Sequence, residues 1–80
     1  MNVTVLLFAS YAETVGSSSL SLDLAPGATV RDVLGRVRSL PGADRLPSEP
    51  LIAVNEEYAR GDRALAAGDE VAIIPPVAGG

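Results

Sequence analysis

The stretch from Ser19 to Leu40, SLSLDLAPGATVRDVLGRVRSL, changes its hydrophobic period halfway, and that change decides the fold. Leu20, Leu22 and Leu24 alternate strictly with Ser19, Ser21 and Asp23, the period-two pattern of a strand with one face buried. Pro26-Gly27 supplies a turn, because proline presets φ for the first central position and glycine accepts φ > 0 at the second. Beyond it Val30, Val33, Leu34, Val37 and Leu40 fall at helical spacing, with Arg31, Asp32, Arg36 and Arg38 largely off that stripe. Thr29, with Asp32 three residues on, resembles a capping box that opens the helix at Val30, and Pro41-Gly42 ends it.

Working outward, Asn2 to Phe8 (NVTVLLF) is rich in β-branched and aromatic residues and reads as a strand with Val3, Val5 and Leu7 on one face. Ala9 to Val15 reads as a loop or one helical turn closed by Gly16. On the other side, residues 43–50 form a loop containing Pro47 and Pro50. Leu51 to Val54 (LIAV) is a short, wholly apolar strand suited to a buried position. A turn at Asn55-Glu56 and a short strand over Glu57 to Ala59 follow. Ala66-Ala67-Gly68-Asp69 turns the chain into a last strand, Glu70 to Ile74, stopped by Pro75-Pro76. Strand, strand, helix, strand, short strand, strand lets one main helix cover one face of a mixed sheet of four to five strands. This is the α+β, β-grasp (ubiquitin-like) plan, with the first and last strands expected to lie parallel in the middle of the sheet. Residues 1–74 form the domain and residues 75–80 an extended tail.

Composition removes most side-chain chemistry. The 80 residues contain no Cys, His or Trp, and all six basic residues are Arg, so there is no Lys. Thiol nucleophiles, Cys/His zinc sites, His acid/base work and Lys Schiff bases are excluded. A net charge of −4 argues against nucleic acid as a partner, since phosphates must be neutralised by a basic surface. No apolar run approaches the roughly 20 residues that span a bilayer, and the start lacks the charged n-region of a signal peptide. A cytoplasmic chain with no membrane partner is expected. Asp69 and Glu70 are adjacent on a strand entrance and point to opposite faces, which argues against a carboxylate pair. Glu56-Glu57 reads as a solvated hairpin tip, Asp62 as turn chemistry, and Arg60 and Arg63 as exposed cations that could meet a partner's acids.

The two strands expected at the sheet centre share an anomaly. Their odd positions (Val3, Val5, Leu7; Val71, Ile73) are uniformly apolar, whereas their even positions run from polar to apolar and end in Phe8 and Ile74. With the odd face under the helix, Phe8 and Ile74 meet at one end of the exposed face, where Tyr58 of the short strand can join them. An apolar patch rimmed by charge marks a partner site. From that end the chain continues as Pro75-Pro76-Val77-Ala78-Gly79-Gly80, two prolines stiffening an arm that ends without side chains. Six extended residues reach roughly 20 Å. The Gly80 carboxylate is ionised at neutral pH and a poor electrophile, so reaction there requires activation, usually adenylation by ATP. No side chain in the composition could catalyse that step, so the activating groups belong to another protein.

Several blocks are similar to the small subunit of molybdopterin synthase, the MoaD-type sulfur carriers of the MoaD/ThiS family. They are Val5-Leu6-Leu7-Phe8-Ala9 with Glu13 and Gly16, Thr29-Val30, Ala53-Val54-Asn55, and Leu65 through Gly80 (LAAGDEVAIIPPVAGG). The Pro-Pro pair resembles the molybdopterin carriers; thiamine carriers usually have Gly after the Asn, where this chain has Glu56. The resemblance implies that a ubiquitin-activating-type adenylyltransferase, using ATP and Mg, adenylates Gly80 and that a sulfur donor protein converts it to a thiocarboxylate. It implies that the arm from Pro75 to Gly79 inserts into the large synthase subunit within a heterotetramer and gives its sulfur to precursor Z. It also implies that Phe8, Tyr58 and Ile74 contact partners and that no cofactor or metal is bound by this chain. Carriers for thiamine or tRNA thiolation, or protein modifiers of the same fold, are the alternatives.

Overall fold

In the computed structural model, residues 1–43, 46 and 50–75 are described. The elements are β1 (Asn2–Leu7), α1 (Ala9–Val15), β2 (Ser19–Asp23), α2 (Val30–Arg38), β3 (Leu51–Val54), β4 (Glu57–Ala59) and β5 (Glu70–Ile74). They build one five-stranded sheet in the order β2-β1-β5-β3-β4. β1 and β5 run parallel at its centre, and every other neighbouring pair is antiparallel. This is the β-grasp arrangement expected from the element order.

The odd residues of β1 and β5 form the floor of the core: Val3, Val5, Leu7, Val71 and Ile73 are all buried. Ile52 and Val54 extend that floor through β3, and Val30, Val33 and Val37 of α2 close over it. α2 begins as the sequence indicates. The Thr29 N–H donates to Asp32 Oδ2 at 2.8 Å, the reach-back half of a capping box, whose loss typically costs about 1 kcal/mol. The first-turn amides of a helix have no intrahelical acceptor, and here the chain after β4 supplies two. Val30 N–H donates to the Arg63 carbonyl at 3.0 Å and Arg31 N–H to the Gly61 carbonyl at 2.9 Å. The helix stops at Arg38, earlier than Pro41-Gly42; Ser39 caps it, its hydroxyl donating to the Arg36 carbonyl at 2.6 Å.

Two expectations are corrected. Ala9–Val15 is a seven-residue helix rather than a loop or single turn, because Tyr11 is buried in the core with Ala12 and Val15 packed beside it. Tertiary burial thus outweighs a weak local pattern. Leu51 is 48% exposed rather than buried, because β3 alternates faces like its neighbours. No helix among the described residues is long and apolar enough to cross a membrane.

Gly42 has φ +85, and a Cβ there would run into the backbone carbonyl oxygen of Thr14, so the turn after α2 lies directly against α1. Gly27 has φ +88 but open space around it. Both Ala variants incur the left-handed penalty of about 1–2 kcal/mol. At roughly 4–8 °C per kcal/mol for a domain of this size, Gly27→Ala lowers the melting temperature by about 8 °C. Gly42→Ala lowers it further; equal losses in thermal melts would show that Thr14 sets no limit there.

Candidate functional site

The outer face of the sheet is built by register. Leu6 lies opposite Ala72, Ala72 opposite Ala53, and Ala53 opposite Tyr58, giving a row that crosses four strands. Residues opposite each other share a face, so this row is continuous on the side away from the helices. One step toward the end of β5, Ile74 pairs with Leu51, and Phe8 follows Leu7, which pairs with Ile73. Phe8 does not extend β1. It is the N-cap of α1, still extended at φ −118 and ψ 153, and its carbonyl accepts the Tyr11 N–H at 3.0 Å.

Together Leu6, Phe8, Ala53, Tyr58, Ala72 and Ile74 line a shallow groove of about 440 Å³, with Glu56 and Glu70 at its polar end. Phe8 is 45% and Tyr58 74% exposed, which is costly area for large rings to leave in water. The face turns polar across β1, where Thr4 and Leu6 lie opposite Ser21 and Ser19. The apolar end is the end at which β5 leaves the sheet, and Pro75 is the last described residue there. Phe8, Ile74 and Pro75 are therefore placed at this end and Tyr58 one row in from it; Pro76, Val77, Ala78, Gly79 and Gly80 lie outside the described residues. Leu6 and Ala72 were not singled out from the sequence, although the same alternation that selected Phe8 and Ile74 carries them; Leu51 lies in a wholly apolar run that shows no alternation.

Asn55 fixes the polar end. Asn55 and Glu56 both take positive φ, 49 and 72, as the tight turn between β3 and β4 requires. Asn55 Nδ2 donates to Asp69 Oδ1 at 2.9 Å, and the Glu70 N–H donates to Asn55 Oδ1 at 3.0 Å. Asp69 Oδ2 also accepts the Ala66 N–H at 2.8 Å. The hairpin tip is thus tied to the start of β5, which holds Tyr58 at a set distance from the central strands. The Ala66 N–H, then the Asn55 amide, hold the Asp69 carboxyl below its ordinary range; slight burial opposes this and the field of Arg63 adds to it. Asp69 is a structural acceptor rather than a proton-transfer group. Among the described residues no cluster of acids could hold a metal ion.

Comparison with known proteins adds the following. Residues 5–80 match the ThiS family. The chain is 39% identical over 83 residues to the molybdopterin synthase sulfur carrier subunit of Chlamydomonas reinhardtii, covering 100% of both. It is 36% identical over 83 residues to small archaeal modifier protein 1 of Haloferax volcanii, covering 92% of this chain and 95% of that one. The crystal structure of SAMP1 from Haloferax volcanii is similar with a TM-score of 0.86 at 35% identity, over 100% of both chains.

Asn55→Gly removes both side-chain hydrogen bonds while keeping a residue suited to positive φ, and should cost about 1 kcal/mol in urea melts at pH 7. Because the folded pKa of Asp69 is depressed, its bonds contribute fully above the unfolded value near 3.9 and are lost as pH falls through the lower folded value. The stability gap between wild type and Asn55→Gly therefore holds from pH 7 to about 4 and narrows below that. An unchanged gap at pH 2.5 would mean that the carboxylate charge contributes nothing.

Proposed function

The chain belongs to the ThiS family, and on that premise we propose that it is the sulfur-carrying small subunit of a molybdopterin synthase, with Gly80 as its reactive residue. The observation that supports this best is the position of the apolar groove. Its most apolar end, formed by Phe8 and Ile74 with Leu51 paired beside Ile74, lies where β5 leaves the sheet, six residues before Gly80 in sequence. A partner seated on that face receives the arm in its own active site. A 39% identity over the full length of a molybdopterin synthase sulfur carrier subunit supports the same reading.

The chemistry runs through the backbone. An activating enzyme transfers AMP from ATP to the Gly80 carboxylate and releases pyrophosphate. A sulfur nucleophile then displaces AMP, and the terminus becomes a thiocarboxylate. Glycine leaves the carbonyl uncrowded for that attack. In the large subunit, the thiocarboxylate sulfur bonds to precursor Z, and water cleaves the acyl–sulfur bond so that the sulfur stays on the pterin and Gly80 returns as a carboxylate. Two such transfers complete the dithiolene of molybdopterin. Pro75 to Ala78 act as a stiff spacer, and Phe8, Tyr58 and Ile74 anchor the partner. Likeness to small archaeal modifier protein 1 favours a second use of the same activated terminus, transfer to an amine of another protein. An amine in place of the sulfur nucleophile displaces AMP to give an amide.

Incubation with activating enzyme, ATP and a sulfur source should replace one oxygen by one sulfur at Gly80, read by intact-mass spectrometry. A residue appended after Gly80 should abolish sulfur transfer with the fold unchanged; retained transfer would remove the carboxylate from the mechanism. Phe8→Asp should weaken large-subunit binding at least about 30-fold, as loss of a central interface aromatic does, and shift the melting temperature by only a few degrees. The opposite pattern would make Phe8 a core residue.

A further inference from the structure

A second groove, of about 530 Å³, lies on the other side of the sheet between α2 and the outer strand β4. Its floor is aliphatic, with Leu34 from α2 and Ile52 and Ala59 from the inner faces of β3 and β4. Its rim is Arg31, Arg38 and Arg60, and no acid lines it among the described residues. Half of the six arginines in a chain of net charge −4 thus stand around one groove.

Arg31 and Arg60 differ in their surroundings from Arg36 and Arg63. Arg36 donates to the Asp23 carbonyl at 3.2 Å, and Arg63 lies in the field of Asp69. Arg31 and Arg60 make no ion pair with any described residue. Arg31 is nevertheless positioned. Its backbone is bonded to the Gly61 carbonyl, and its guanidinium lies over Gly61, where a Cβ would come within 3.1 Å of Nη2 and 3.4 Å of Cζ. A planar guanidinium held in place at the mouth of an apolar groove is suited to a carboxylate, which it can grip with two parallel hydrogen bonds.

We propose that this groove docks an extended acidic peptide segment of a partner protein, its carboxylates on Arg31 and Arg60 and an aliphatic side chain on Leu34, Ile52 and Ala59. β4 is the last strand of the sheet, so among the described residues no strand pairs with its outer backbone edge, to which an extended chain can add. Among the described residues the lining offers no aromatic ring for a nucleotide base to stack upon, which favours a peptide over a nucleotide. The sheet separates this groove from the outer face, so a segment bound here leaves Phe8, Tyr58 and Ile74 free. A partner can then retain the carrier while the tail is being used elsewhere. This inference does not depend on what Gly80 carries.

The test uses the full-length ¹⁵N-labelled chain, with amide shifts followed during titration with acetyl-Glu-Leu-Asp-Leu-Glu-amide and, in parallel, its neutral Gln/Asn counterpart, ATP and inorganic phosphate. The acidic peptide should shift the amides of Arg31, Leu34, Ala59, Arg60 and Gly61 and leave those of Tyr58 and Ala72 in place. The double variant Arg31→Ala/Arg60→Ala should bind it about tenfold more weakly with an unchanged melting temperature. Equal binding by the neutral peptide, shifts on the outer face instead, or no shift at all would overturn the proposal. Saturation of the same amides by ATP or phosphate at lower concentration than by the peptide would overturn it in favour of a phosphate site.

Discussion

The parallel pairing of the first strand with the last constrains everything else in this molecule. Val5 lies against Val71 and Leu7 against Ile73, although more than sixty residues separate each pair. Once that pairing forms, β5 has β1 on one side and β3 on the other, and the intervening chain must pass over one face of the sheet as α2. Closing so long a loop costs conformational entropy before any contact repays it, so the central pairing depends on burial of the Val and Ile side chains that line it. The same pairing sets Ile74 level with Phe8. The end of the fold and the apolar end of its outer face are therefore one place by construction.

The sheet gives its two faces different work. Odd positions of β1 and β5 are saturated with β-branched and aliphatic side chains, and among the described residues nothing polar is buried beneath the helices. Even positions would ordinarily be polar in a sheet with one wet face. Here Leu6, Ala72 and Ala53 form an apolar row, and Ala53 is itself buried although it points away from the core. Small residues at the centre keep the row low, and the larger Phe8, Leu51 and Tyr58 stand around it. That relief is a shallow seat rather than a pocket. It suits the flat contact of a protein partner better than enclosure of a small molecule.

Much of this was legible in the sequence, because alternation and helical spacing are direct consequences of burial. The strands, α2 with its capping box, the turn at Asn55-Glu56 and the grouping of Phe8, Tyr58 and Ile74 followed from period alone. α1 did not, because among its described side chains Tyr11 alone is fully buried, with Ala12 and Val15 only half-buried beside it, and a single buried ring makes no period. Leu51 was misread because four consecutive apolar residues conceal which two face outward. The clasp of Asn55, Asp69 and Glu70 joins residues fifteen apart in sequence, and no local pattern announces a hydrogen bond that only tertiary structure creates. The arginine-rimmed groove was invisible for the same reason: Arg31 and Arg60 were separate exposed cations until α2 and β4 became neighbours.

Charge is segregated by the same architecture. The polar end of the outer face carries Glu56 and Glu70, with Asp69 close behind, while Arg31, Arg38 and Arg60 gather on the helix side. A chain of net charge −4 with half of its arginines around one groove presents a directional field there, and such fields orient approaching partners before contact. A basic surface is drawn toward the acidic end of the outer groove, one strand away from the departing tail. An acidic surface is drawn to the back, where it meets Arg31 and Arg60, which make no ion pair with any described residue. Two partners of opposite charge can thus address one small domain without competing for it, and the sheet that keeps them apart is the sheet that the central parallel pairing holds together.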